Sequence, residues 1–207
     1  YVPSRPSGRT RLLHLASFAL TSAPAIAWQA LGWRPDVVIS IEPPLLCSPA
    51  ALVAARLCGA RTWLHVQDFE VDAAFDLGLV AGGGRLRRMA LAVERFVMRR
   101  FDRVSTISVA MDARLAAKGV PDEKRSVFPN WVDTESMHPH SGPSPYRDEL
   151  GLPADARVVL YSGNLGRKQG IDVLLEAARL LAPEPRIRFV ICGDGAERER
   201  LHALGAK

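Results

Sequence analysis

Two glycine-bearing turns in the sequence are suited to holding an anion. Residues 162–170 read SGNLGRKQG, with Gly163, Gly166 and Gly170 spaced around Arg167 and Lys168. An apolar, β-branched run precedes this stretch, and a helical pattern begins near Ile171. Glycine lets a backbone approach a phosphate closely, and a helix start offers unpaired N–H groups with partial positive charge. The loop fits neither GxxxxGK[ST] nor GxGxxG, which weakens ATPase and simple dinucleotide readings. Gly193-Asp194-Gly195 makes the same kind of turn after the next strand-like run. Ligands of open parallel sheets gather at the carboxyl ends of strands, so the two turns are expected to converge on one crevice. The bland alternative is a glycine-rich βα turn carrying a solvated basic pair.

His65 closes another strand-like run, RTWLHV, and is followed by Asp68, Glu70 and Asp72. An imidazole at a strand's carboxyl end can bond sugar hydroxyls or handle a proton. A lone histidine is more often structural, and Asp68 and Glu70 serve equally well as caps of a following helix. Glu42, ahead of two prolines, places a carboxylate near the same edge. Ser40, Ser105 and Ser108 lack the GxSxG context of an activated nucleophile, and the five histidines show no metal-ligand spacing.

The elements that must position these groups alternate along the chain. Strands are predicted at residues 36–41, 61–66, 103–107 and 124–128, with helices at 49–58, 84–100 and 108–118. Short strands joined by helices of ten or more residues imply a parallel sheet covered on both faces. Residues 130–155 carry Pro139, Gly142, Pro143, Pro145 and Pro153, and read as a connection with one short helix at 146–150. A second rhythm follows, with strands at 157–162 and 186–192, a helix at 172–181 and the start of another beyond Gly195. The domains read are therefore 1–130, a linker at 131–155, and 156–207.

The chain has 207 residues, 48% hydrophobic and 24% charged, which suits one full domain plus part of another. Its formal charge is +5, fitting an anionic partner such as a phosphorylated small molecule or an anionic membrane surface. Nucleic acid is disfavoured, because aromatic residues do not interleave with the basic ones. Three widely spaced cysteines, with no CxxC pair, read as reduced core residues. Residues 11–31 are apolar for nearly a membrane span, but His14, Gln29 and a central Pro24 favour a packed or surface helix. Along residues 85–100, Arg85, Arg88, Arg95 and Arg99 group on one side, a pattern suited to anionic lipid or simply to solvent.

The blocks ERFVMRRFDRVSTISVAMDARLAAKGVPDEKRSVFPNWVD, LYSGNLGRKQGIDVLLEAARLL and FVICGDGAERERL resemble, in that order, family 4 glycosyltransferases of the GT-B type. EPPLLCSPAALVAARLCGARTWLHVQDFEVD is similar to the exopolysaccharide and O-antigen branch, notably the colanic-acid fucosyltransferase group and its aminosugar-transferring relatives. The resemblance implies an α/β fold of two Rossmann-like lobes, here a partial N-lobe plus the first β-α-β of the C-lobe. It implies a retaining transferase moving sugar from a UDP- or GDP-sugar to a lipid-linked or glycan acceptor. No metal or resident cofactor is expected, and the enzyme would be cytoplasmic and peripheral at the inner face of the membrane. His65 would lie near the donor sugar. Glu42, Asp68 and Glu70 would lie on the acceptor side. Gly163, Asn164, Arg167, Lys168, Gly193 and Gly195 would hold the donor.

The chain departs from the family where GRxxxxKG is frequent: it reads GNLGRKQG, with Asn164 and Gln169 in those columns. Asn130-Trp131 replaces a frequent Asn-Gly. The family's N-terminal glycine loop and later E-x7-E region are not in the sequence, so this chain alone is expected to fold in part and catalyse little. The competing readings are a nucleotide-sugar epimerase of the same architecture and a non-catalytic, membrane-apposed binding protein.

Overall fold

The computed structural model describes residues 8–43, 45–76, 84–139 and 142–205. The chain divides into two compact units, Tyr1–Trp131 and Val132–Lys207. The proline-bearing stretch that begins at Val132 therefore clusters with the second.

In the first unit, α1 (Gly8–Trp33) leads to β1 (Val37–Glu42), α2 (Ser48–Cys58), β2 (Arg61–Val66), α3 (Glu70–Asp76), α4 (Gly84–Arg100), β3 (Arg103–Thr106), α5 (Val109–Ala117) and β4 (Arg125–Val127). The strands form one parallel sheet in the order β1-β2-β3-β4. Local signals set the helix ends. Pro is tolerated at the start of α2, and Gly59 ends it at φ 77°, a left-handed conformation that glycine adopts without strain. Ser108 accepts a hydrogen bond from the Met111 N–H to cap α5. Helix α1 keeps Pro24 inside it and packs on α2. Among the described residues no helix is long and apolar enough to cross a membrane.

The core fills one side of this sheet. Leu52 of α2, Leu64 and Val66 of β2, Val97 and Met98 of α4, Phe101, Val104 of β3 and Leu115 of α5 are all buried together. Strand β1 reverses the usual assignment of faces. Its polar Ser40 and Glu42 are buried, while Val37, Ile39 and Ile41 are exposed.

The second unit contains α6 (Tyr146–Glu149), β5 (Arg157–Ser162), α7 (Asp172–Leu180), β6 (Ile187–Cys192) and α8 (Arg198–Gly205). Strands β5 and β6 pair in parallel, from Arg157 opposite Ile187 to Ser162 opposite Cys192. Leu165, Ile171 and Leu201 form its buried cluster, with Tyr161, Leu174, Leu175 and Ile191 packed around them.

Candidate active site

In the first unit, the pleat decides which residues can meet. Side chains alternate faces along a strand, and residues opposite each other in register share a face. Ile41 lies opposite His65, and Glu42 opposite Val66. His65 therefore shares the Ile39–Ile41 face, whereas Glu42 points to the helical side. This differs from the single edge expected for both: the sheet separates them.

His65 belongs to a hydrogen-bonded chain. Trp63 donates from Nε1 to Ser105 Oγ at 2.7 Å, and His65 Nδ1 lies 2.8 Å from the same oxygen. On its other side, His65 Nε2 lies 3.2 Å from Gln67 Nε2. An amide nitrogen only donates, so Nε2 accepts and the ring proton sits on Nδ1, directed at Ser105. Gln67 and Asn130 then exchange bonds through their amides, at 3.0 and 3.3 Å. Burial holds the His65 imidazole below its usual pKa, which fits the neutral ring that this pattern needs. Phe128 packs edge-on to the ring at 5.6 Å. His65, Gln67, Trp63, Phe128, Asn130 and Trp131 contribute to the wall of a cavity of about 370 Å³.

Glu42 lies in a separate, buried group. It is 0% exposed, and neither carboxylate oxygen has a hydrogen-bond partner. Burial, with the nearby Glu94 and Glu70 carboxylates, pushes its pKa up to about 9. Lys118 is the counter-charge: its ammonium bonds Glu94, reaches Asp72 at 2.7 Å and sits 5.0 Å over the Phe69 ring. No group of three or more His, Cys, Asp or Glu side chains among the described residues is placed to share a metal ion. Asp68 follows β2 and Glu70 opens α3, both half-buried.

A pH dependence follows from Glu42. Its folded pKa lies above the ordinary 4.5, so between 4.5 and about 9 the folded chain binds the extra proton. Stability should therefore fall as pH rises through that window. Glu42→Gln removes the Glu42 share of the slope, and the variant should be the more stable at about pH 8 by on the order of 2–4 kcal/mol. Urea unfolding of both chains at about pH 5 and about pH 8 measures this; parallel curves would place Glu42 in a wetter setting.

In the second unit, the two glycine turns lie against each other at the carboxyl ends of β5 and β6. Gly163 N–H donates to Cys192 O at 3.0 Å, and Leu165 N–H donates to Asp194 O at 2.8 Å. A Cβ on Gly193 would collide with the carbonyl oxygen of Gly163, and one on Gly195 would come within 2.5 Å of Asn164 Oδ1 and of Leu165 O. Glycine is required at both positions because backbone occupies the space a side chain would need. Leu165 anchors the loop in the core, and Tyr161 donates its hydroxyl to Asn164 O at 2.8 Å. Gly163, Asn164, Gly193 and Gly195 are thus brought together. Arg167 and Lys168 form an exposed 3-10 turn after them, and Gly170 at φ 63° admits α7. At the start of α7, Asp172 is held by both terminal nitrogens of Arg200 at 2.8 Å.

Residues 2–131 match a family model described as a glycosyl transferase 4-like domain, and residues 144–207 match glycosyl transferases group 1. The chain belongs to this glycosyltransferase family. It is 42% identical to a chain of Escherichia coli (strain K12) named as the colanic acid biosynthesis glycosyl transferase WcaI, over 99% of this chain and 51% of the relative. This glycosyltransferase chain thus spans about half the length of the curated relatives it matches. Its fold is similar to Anabaena HepE in complex with UDP and glucose, with TM-score 0.63, 19% identity, and 88% of this chain and 47% of that one covered. Sucrose-phosphate synthase from Thermosynechococcus elongatus gives TM-score 0.71 at 21% identity, over 99% and 48%. The architecture is that of the GT-B type.

In this glycosyltransferase chain Ser105 is not visible from the sequence as a partner of His65 and Trp63, because β2–β3 register creates that pairing. Lys118 escaped for a similar reason: its partner Glu94 lies 24 residues away on another helix.

Proposed function

We propose that this chain is part of a retaining glycosyltransferase that moves a sugar from a UDP- or GDP-sugar to a lipid-linked or glycan acceptor in bacterial surface polysaccharide synthesis. The observation that carries the donor half of this reading is the interlocked pair of turns at Gly163 and Gly193. They set two backbone turns side by side at adjacent strand ends, next to an exposed basic pair. Departure of a nucleoside diphosphate develops negative charge on phosphate oxygens, and cationic side chains with helix N-terminal N–H groups stabilise it. Arg167 and Lys168 supply the charge in place of the Arg and Lys of the commoner loop. HepE, a fold neighbour, is a protein whose structure contains UDP and glucose.

His65 is assigned to the donor-sugar side, where a neutral imidazole with its proton fixed on Nδ1 offers Nε2 as an acceptor to a hydroxyl that takes the place of the Gln67 amide. Asp68 and Glu70 are assigned to the acceptor side. The reaction as proposed uses no metal and no resident cofactor, and the protein works in the cytoplasm at the inner membrane face.

Calorimetric titration of the chain with UDP and with GDP tests the donor site. Replacing Arg167 and Lys168 together by alanine should weaken binding of the accepted nucleotide by about 10- to 100-fold, the loss of one or two charge-assisted bonds. Unaltered affinity would remove the pair from the site.

A further inference from the structure

The outer surface of α4 carries two kinds of side chain that seldom lie together facing water. Its inner strip, with Glu94, Val97 and Met98, is buried. Leu86, Met89, Val93 and Phe96 follow one another at spacings of three and four, and are 45%, 66%, 60% and 56% exposed. At helical periodicity they form a second apolar strip, turned away from the core. Alongside it run Arg85, Arg88, Arg95 and Arg99, all exposed. Arg100 closes one end, its guanidinium 4.4 Å over the Phe96 ring.

The charge on this surface has one sign. Glu94 is the sole carboxylate in the α4 sequence, and it turns inward to Lys118. A solvated helix face gains nothing from four large neighbouring apolar side chains, and a helix buried in another protein would strand its arginines. A bilayer with anionic headgroups satisfies both strips. Apolar side chains enter the headgroup–acyl boundary while guanidinium groups stay level with the phosphates.

We infer that α4 is the membrane-contact face of this protein, lying flat on bilayers rich in anionic phospholipid, with Leu86, Met89, Val93 and Phe96 inserted and the arginines bonded to lipid phosphates. The inference rests on the reading of a membrane-held acceptor. It needs no nucleotide, so the two can fail separately.

The test is co-sedimentation of the full 207-residue chain with vesicles of phosphatidylcholine alone and of phosphatidylcholine mixed with phosphatidylglycerol. The chain should pellet with the mixed vesicles and stay in the supernatant of phosphatidylcholine vesicles, with binding that declines as salt rises. Two variants separate the strips: Val93→Asp with Phe96→Asp, and Arg85, Arg88, Arg95 and Arg99 each replaced by glutamine. Each should lower the partition coefficient about tenfold or more. Circular dichroism should show both folded, since every substituted side chain is exposed, and UDP or GDP affinity should not move. Equal partitioning of wild type and both folded variants would overturn the inference, as would equal binding to the two vesicle types. Absence of vesicle binding, with self-association that Phe96→Asp abolishes, would make the face a protein interface and would likewise overturn it. Loss of nucleotide binding with vesicle binding intact would count against the donor site alone.

Discussion

Lys118→Met should destabilise the first unit by about 3–5 kcal/mol, the usual cost of leaving one member of a buried ion pair without its partner. The lysine is 7% exposed and Glu94 is 0% exposed, so the stranded carboxylate cannot be rescued by water. Asp72 loses its 2.7 Å contact in the same step, which frees the start of α3 from α4. The pair itself is a poor source of net stability, because both charges had to be desolvated. For that reason Lys118→Met combined with Glu94→Gln should recover most of the loss. Urea unfolding of the single and double variants reads both numbers. A single variant within about 1 kcal/mol of wild type would mean that Glu94 simply takes up a proton.

Gly193→Ala should have the largest effect in the second unit. The added Cβ has nowhere to go except into the carbonyl oxygen of Gly163. The backbone must shift, at a cost of about 2–3 kcal/mol, and the shift separates the two turns. Amide exchange at Gly163 and Leu165, whose N–H groups bond Cys192 and Asp194, should accelerate while Val159 and Tyr161, whose N–H groups face β6 in mid-strand, stay slow. Nucleotide affinity should fall with it. The control is Gly142→Ala, where an added Cβ meets nothing within 4 Å. Protection unchanged in Gly193→Ala would show that the turns are not interlocked in solution.

Much of the fold could be read from local signals. Residues 61–66 and 157–162 are strands over the predicted span because each β-branched run is bounded by turn residues on both sides. The Gly163 and Gly193 turns were recognisable because glycine spacing after a strand is itself a local signal. The orientation of β1 was not recognisable. Isoleucine in a strand ordinarily turns inward, yet Ser40 and Glu42 are the buried residues of β1, the strand on which α2 packs. The surroundings of His65 were hidden for the same kind of reason: Ser105 stands 40 residues away and meets it only through strand register.

The edge strand has a practical consequence. Among the described residues β1 ends the sheet order, leaving one row of its N–H and C=O groups unpaired, and Val37, Ile39 and Ile41 on one face of it are 47%, 56% and 57% exposed. A ribbon of that kind offers a ready template for another copy to add a strand, and here no charged side chain stands on its outer face to discourage pairing. Preparations of this chain are therefore best kept dilute, and a lysine in place of Ile39 would blunt the edge without touching the helix-facing residues.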